Sequence, residues 1–119
     1  MACVLVVDDN EDLRLLYTHA LRCEGYSTST AVNGQDALVS LKDPSTEKPH
    51  LILLDLMMPV MDGWEFLKAK SSSGEIADIP VVVCSAAPDQ RLPKDVPVLR
   101  KPIDLGRLVD VVRPYCGDA

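Results

Sequence analysis

Four short, nearly unbroken apolar runs constrain this chain most: Val4–Val7, Leu51–Leu54, Ile79–Cys84 and Val96–Leu99. Each is too short for a buried helix and lacks the polar alternation of a strand with one wet face. Runs of this kind mark strands buried on both sides, as in a parallel sheet covered by helices. The segments between them follow the helical period instead. Leu13, Leu16, Tyr17, Ala20 and Leu21 form one stripe, stopped by Gly25. Tyr26–Ala31 alternates weakly and is rich in Ser and Thr, which predicts an edge strand. Asn33-Gly34 opens a second helix with Ala37, Leu38 and Leu41 on one side, ended by Asp43-Pro44. Asp62 is placed to cap a third helix bearing Trp64, Phe66 and Leu67, which runs out in Ser71-Ser72-Ser73-Gly74. A last helix spans Ile103–Tyr115, with Leu105, Leu108, Val109 and Val112 facing inward.

Strand and helix signals thus alternate through the chain, so the expected fold is an α/β flavodoxin-like, doubly wound sheet of five parallel strands in the order 2-1-3-4-5. The 119 residues, 47% of them hydrophobic, suit one domain with a real core. A net charge of −6 argues against nucleic acid or an anionic membrane as a direct partner. No apolar stretch approaches the roughly 20 residues of a membrane span. Strand-like sequence begins at Cys3, which leaves no room for a signal peptide, so a cytoplasmic location is expected. Cys3, Cys23, Cys84 and Cys116 are scattered without a C-x-x-C pair and read as reduced structural thiols. His19 and His50 stand alone and read as surface residues.

In such folds ligands bind beyond the carboxyl ends of the strands, near the reversal in strand order. The residues at those ends are Asp8-Asp9 after strand one, Asp55 after strand three, Ser85 after strand four and Lys101-Pro102 after strand five. Singly each has an ordinary reading: Asp9 or Asn10 as a helix cap, Asp55 as a turn residue, Ser85 as a backbone hydrogen-bonder, Lys101 as a solvated charge. Together they place three acids, a hydroxyl and an ammonium in one cleft. Converging carboxylates repel one another without a cation, and a hard ion such as Mg²⁺ takes oxygen ligands and shares its shell with phosphates. The set fits phosphorylation of a carboxylate, with Asp55 attacking phosphorus to form an acyl phosphate. Ser85 would donate a hydrogen bond to a phosphoryl oxygen, and Lys101 would supply positive charge.

These residues closely resemble the receiver domain of two-component response regulators, of the single-domain, chemotaxis-regulator type. The resemblance runs through Val4-Leu5-Val6-Val7-Asp8-Asp9, Asn33-Gly34, Asp55-Leu56-Met57-Met58-Pro59-Val60-Met61-Asp62-Gly63, Ser85-Ala86 and Lys101-Pro102. It implies Asp55 as phosphoacceptor, and Asp8, Asp9, Asp55 and the main-chain carbonyl of Met57 as Mg²⁺ ligands. It further implies Ser85 as switch hydroxyl, Lys101 as the conserved-type lysine and a cis bond before Pro102. The implied partners are a histidine kinase or a histidine phosphotransfer protein, and the implied extent is a single receiver over residues 1–119 with no output domain. A receiver excised from a hybrid kinase or larger regulator would read the same, and a phosphorylation-independent interaction domain is the other alternative. An aspartate-nucleophile phosphatase of the haloacid dehalogenase type is disfavoured because Asp55-Leu56-Met57 lacks a second acid. A flavin carrier is disfavoured because Asp8-Asp9-Asn10-Glu11-Asp12 would repel a phosphate.

Two departures from the family bear on output. The position three before the lysine, commonly aromatic, is Val98, so the usual hydroxyl-to-aromatic relay is not available in its familiar form. Between Ser85 and Lys101 the family fits a full helix, but Ala86–Asp95 carries Pro88 and Pro93. Proline inside a helix costs about 3 kcal/mol. The expectation is that this helix is absent or reduced to about one turn.

Overall fold

The computed structural model describes residues 3–86, 92 and 95–117. The elements run β1 (Cys3–Val7), α1 (Glu11–Cys23), β2 (Ser27–Ala31), α2 (Gly34–Lys42), β3 (Leu51–Asp55), α3 (Gly63–Ser71), β4 (Val81–Ser85), β5 (Val98–Arg100) and α4 (Leu105–Cys116). All neighbouring strands are parallel, and the sheet order is β2-β1-β3-β4-β5, as the alternation predicts.

The apolar runs are strands because both of their faces are covered. Leu5, Val7, Ile52, Leu54, Val81 and Val83 pack with Ala37, Leu38, Leu41 and Phe66 of α2 and α3. The alternate residues Val4, Val6, Leu51, Leu53, Val82 and Cys84 pack with Tyr17 and Leu21 of α1 and with Leu108 and Val112 of α4. The two edge strands are partly wet: β2 along its Ser and Thr residues, and β5 at Val98 and Arg100, which are exposed on either side of buried Leu99. Each helix begins on the side chain that its sequence offers: Asn10, Asn33, Asp62 and Asp104 accept from backbone N–H groups three residues on. Asp62 and Glu65 complete a reciprocal capping box.

Two expectations shift. The β4 and β5 strands begin two residues later than the apolar runs suggest, at Val81 and Val98, because Pro80 and Pro97 have no N–H to give the ladder. Their carbonyls still accept, from Ile52 and Val83 respectively. On α1 the buried side is Tyr17, Thr18 and Leu21, and Leu16 is exposed. Thr18 tolerates burial because its hydroxyl donates to the Leu15 carbonyl at 3.2 Å. The expected loss of the helix between β4 and β5 falls on 87–91 and 93–94, outside the described residues. Among the described residues no helix lies between those strands.

Candidate functional site

The carboxyl ends of β1, β3, β4 and β5 meet at one edge of the sheet, and parallel register sets the depth of each residue. Val7 lies opposite Leu54, Asp55 opposite Cys84, and Ser85 opposite Arg100. Asp8 and Asp55 therefore project from the middle of the sheet rather than its rim, and they are only 2% and 6% exposed. Asp9 is exposed. One oxygen from each of Asp8, Asp9 and Asp55 lies within 4.8 Å of the others. The Lys101 Nζ reaches in from the end of β5, 3.2 Å from Asp8 Oδ2 and 3.4 Å from Asp55 Oδ1. Its own N–H donates to the Ser85 carbonyl at 2.8 Å, which ties the lysine to the end of β4.

The backbone around the acids is fixed from three sides. The Asn10 N–H donates to Asp8 Oδ1 at 2.9 Å, and Arg14 Nη1 donates to the Asp8 main-chain carbonyl at 2.7 Å. The Met57 N–H approaches Asp55 Oδ1 at 3.3 Å. The loop from Leu56 to Asp62 is held by two glycine amides, Gly63 donating to Leu56 and Gly34 to Met61. Both approaches require glycine, because a Cβ at Gly63 would lie 2.6 Å from Leu56 Cα, and one at Gly34 would lie 2.9 Å from the Met61 carbonyl oxygen. Within this loop Val60 adopts a left-handed φ of 68°, and the Met61 N–H donates to Pro59 across it.

Electrostatics follow from this packing. Burial raises the Asp55 carboxyl above its ordinary range, and Asp8 pushes it further up against the pull of Lys101. Burial works against the Lys101 ammonium, but Asp55 and Asp8 outweigh it and hold that group above its ordinary range. One ammonium thus faces two buried carboxylates and a third at the rim. An all-oxygen set with surplus negative charge is the donor chemistry that a hard divalent ion requires, so the residues present fit Mg²⁺.

The geometry brings together every acid singled out in the sequence, with Lys101 and the end of β4 beside them. The Lys101–Pro102 peptide bond is cis. Met57 is 71% exposed, and its main-chain N–H is the part that contacts Asp55. Val98 opens β5 and is 46% exposed. Asn10, not Asp9, caps α1. Sequence reasoning missed Arg14, whose reach back to Asp8 depends on the turn into α1. The one available hint was its place in the first turns of a helix that follows the acid pair.

A flavodoxin-like parallel sheet with an acidic cleft and a lysine at its strand ends defines the class of this α/β domain. The sequence model of the response regulator receiver domain matches residues 4–113, and the chain belongs to that family. It is therefore a phosphoacceptor signalling domain of the two-component type. Among curated proteins it is similar to the polar-differentiation response regulator DivK of Brucella anthropi, 30% identical over 98% of this chain and 97% of that one. It is also similar to sporulation initiation phosphotransferase F of Bacillus subtilis, 33% identical over 94% and 91%. Among solved structures the chemotaxis protein CheY4 of Vibrio cholerae superposes with a TM-score of 0.85, at 27% identity over 97% and 98%. Among the described residues no helix is long and apolar enough to cross a membrane.

Proposed function

We propose that Asp55 accepts a phosphoryl group in a Mg²⁺-dependent reaction, from a histidine kinase or a histidine phosphotransfer protein, and that this relays or switches a signal. The observation that carries the reading is the convergence of three carboxylates and one ammonium at the strand ends. Asp8, Asp9 and Asp55, with the Met57 main-chain carbonyl, would hold the ion. When bound, Mg²⁺ neutralises charge on phosphoryl oxygens and on the carboxylates.

The protein's own groups divide the remaining work. An Asp55 oxygen attacks phosphorus as the bond from phosphorus to the donor nitrogen breaks, and that electron pair leaves on the imidazole. Burial of Asp55 excludes competing water from the carboxylate, and the Met57 N–H helps orient it. Lys101 is a cation already poised beside Asp55, free to pair with the transferred oxygens. Ser85 supplies a hydroxyl at the neighbouring strand end. With Val98 in place of an aromatic residue, the signal leaves by a route other than rotation of a ring at that position. The reading takes residues 1–119 as one receiver domain, acting in the cytoplasm.

Intact-protein mass spectrometry after incubation with acetyl phosphate tests this reading. Wild type gains one phosphoryl group with Mg²⁺, and gains none with chelator or as Asp55→Asn. Absence of a gain in wild type overturns it.

A further inference from the structure

A second concave site runs along α3, from Trp64 in its first turn to the residues that lead into β4 and β5. There α3, the turn after it, and the residues leading into β4 and β5 line an open cavity of about 790 Å³. That volume is in the range of small-molecule sites. Its walls are mainly apolar, with Trp64 and Leu67 of α3 facing Ile79 and Val96. Lys68, Asp78 and Asp95 also line it, and all three are exposed.

Lys70 is the unusual wall residue, because a lysine is rarely buried unless paired. It is only 7% exposed, yet its ammonium makes no direct ion pair among the described residues. Of the three protons on that nitrogen, one is used, donated to the Ala77 carbonyl at 2.8 Å. Asp78 attracts it from a distance, but burial dominates and pulls the group below its ordinary range. A largely buried cation beside an apolar wall has lost part of its hydration, and an anion placed against its spare donors offsets that cost. A neutral ligand would leave the cation as it is. A multiply charged ligand would meet the acids at the rim.

We propose that this cavity binds a small amphipathic organic anion, its acid group paired with Lys70 and its apolar body against Trp64, Leu67 and Ile79. The site is separate from the acid cleft and does not depend on phosphorylation.

Anilinonaphthalene sulfonate, an aromatic body with one acid group, is the probe, and uncharged phenylnaphthylamine is its comparison. The 119-residue chain is expected to bind the sulfonate saturably at one site, with energy transfer from Trp64, and to prefer it over the neutral probe. In Lys70→Met, sulfonate affinity falls roughly tenfold while affinity for the neutral probe holds, the loss expected for one charged hydrogen bond. Ile79→Phe, which narrows the cavity at the wall where the apolar body sits, weakens both probes, and it decides the matter should Lys70→Met fail to fold by circular dichroism. No saturable binding to wild type overturns the proposal. So does a sulfonate preference that survives Lys70→Met, or binding of both probes undiminished in Ile79→Phe.

Discussion

Replacing Gly63 with alanine tests how the acid cleft is held in place. The added Cβ would sit 2.6 Å from Leu56 Cα, 2.7 Å from Leu56 Cδ2 and 2.8 Å from the Asp55 carbonyl oxygen. Ordinary contact begins at 3.4 Å, so the closest approach must open by 3.4 − 2.6, or 0.8 Å. Two of the three neighbours are backbone atoms at the end of β3, so no side-chain rotation relieves the clash. Overpacking of this kind costs about 1–3 kcal/mol. Better helix propensity returns less than about 1 kcal/mol. The net loss is roughly 1–2 kcal/mol, or about 4–8 °C in Tm for a chain of this size. The displaced atoms carry Asp55 with them, and misplacement near 1 Å can cost about 100-fold in rate. Urea unfolding gives the stability, and phosphorylation by acetyl phosphate, read well below the transition, gives the rate. Gly74→Ala is the control, since a Cβ there meets nothing within 4 Å. A Gly63→Ala protein as stable and as fast as that control would refute the reasoning.

Three further outcomes are expected. Val60→Asn stabilises the protein by about 1 kcal/mol, because a β-branched residue at φ 68° is strained and asparagine tolerates that region; a lower urea midpoint contradicts this. In chelator, Asp55→Asn is more stable than wild type by about 1 kcal/mol at neutral pH, since repulsion from Asp8 and burial of charge are relieved while Lys101 loses one partner. The Asp55 carboxyl is held above its ordinary value of 3.8, so the unfolded chain ionises first. Wild type then loses stability as pH rises from about that value through the folded one. The advantage of Asp55→Asn vanishes in acid and grows toward neutrality, and a pH-independent difference would count against the stated cause. Cys84 is 2% exposed, and burial pushes its thiol from 9.0 up to about 12; native alkylation at mildly alkaline pH labels exposed Cys23 and spares Cys84, and rapid labelling of Cys84 would contradict its burial.

The fold was legible because nearly unbroken apolar runs admit one economical arrangement, a sheet covered on both faces, and because the helix-length segments between most of them carry the chain back and leave neighbouring strands parallel. The acid cleft was legible for the same reason: once the topology is assigned, Asp8, Asp9, Asp55 and Lys101 have to share an edge. Strand starts at Val81 and Val98 were less so, since an apolar run does not reveal where proline withdraws a ladder donor. The exposure of Leu16 and burial of Thr18 depend on how α1 rotates against Val6 and Leu53, which a one-helix stripe does not encode. Lys70 escaped notice because lysine at the end of a helix reads as a solvated charge. Its burial follows from the turn through Ser73–Asp78 that brings the Ala77 carbonyl over it. The φ of Val60 was hidden as well, valine being the residue least expected there.

The most direct measurement locates the phosphoryl group. After reaction with acetyl phosphate and Mg²⁺, borohydride reduction converts an acyl phosphate of aspartate to homoserine, and peptide mass spectrometry reads its position. Homoserine at position 55, with Asp8 and Asp9 unchanged, is the predicted result. Homoserine at either of those two acids, or at none, would contradict the assignment of Asp55 as the nucleophile in this cleft.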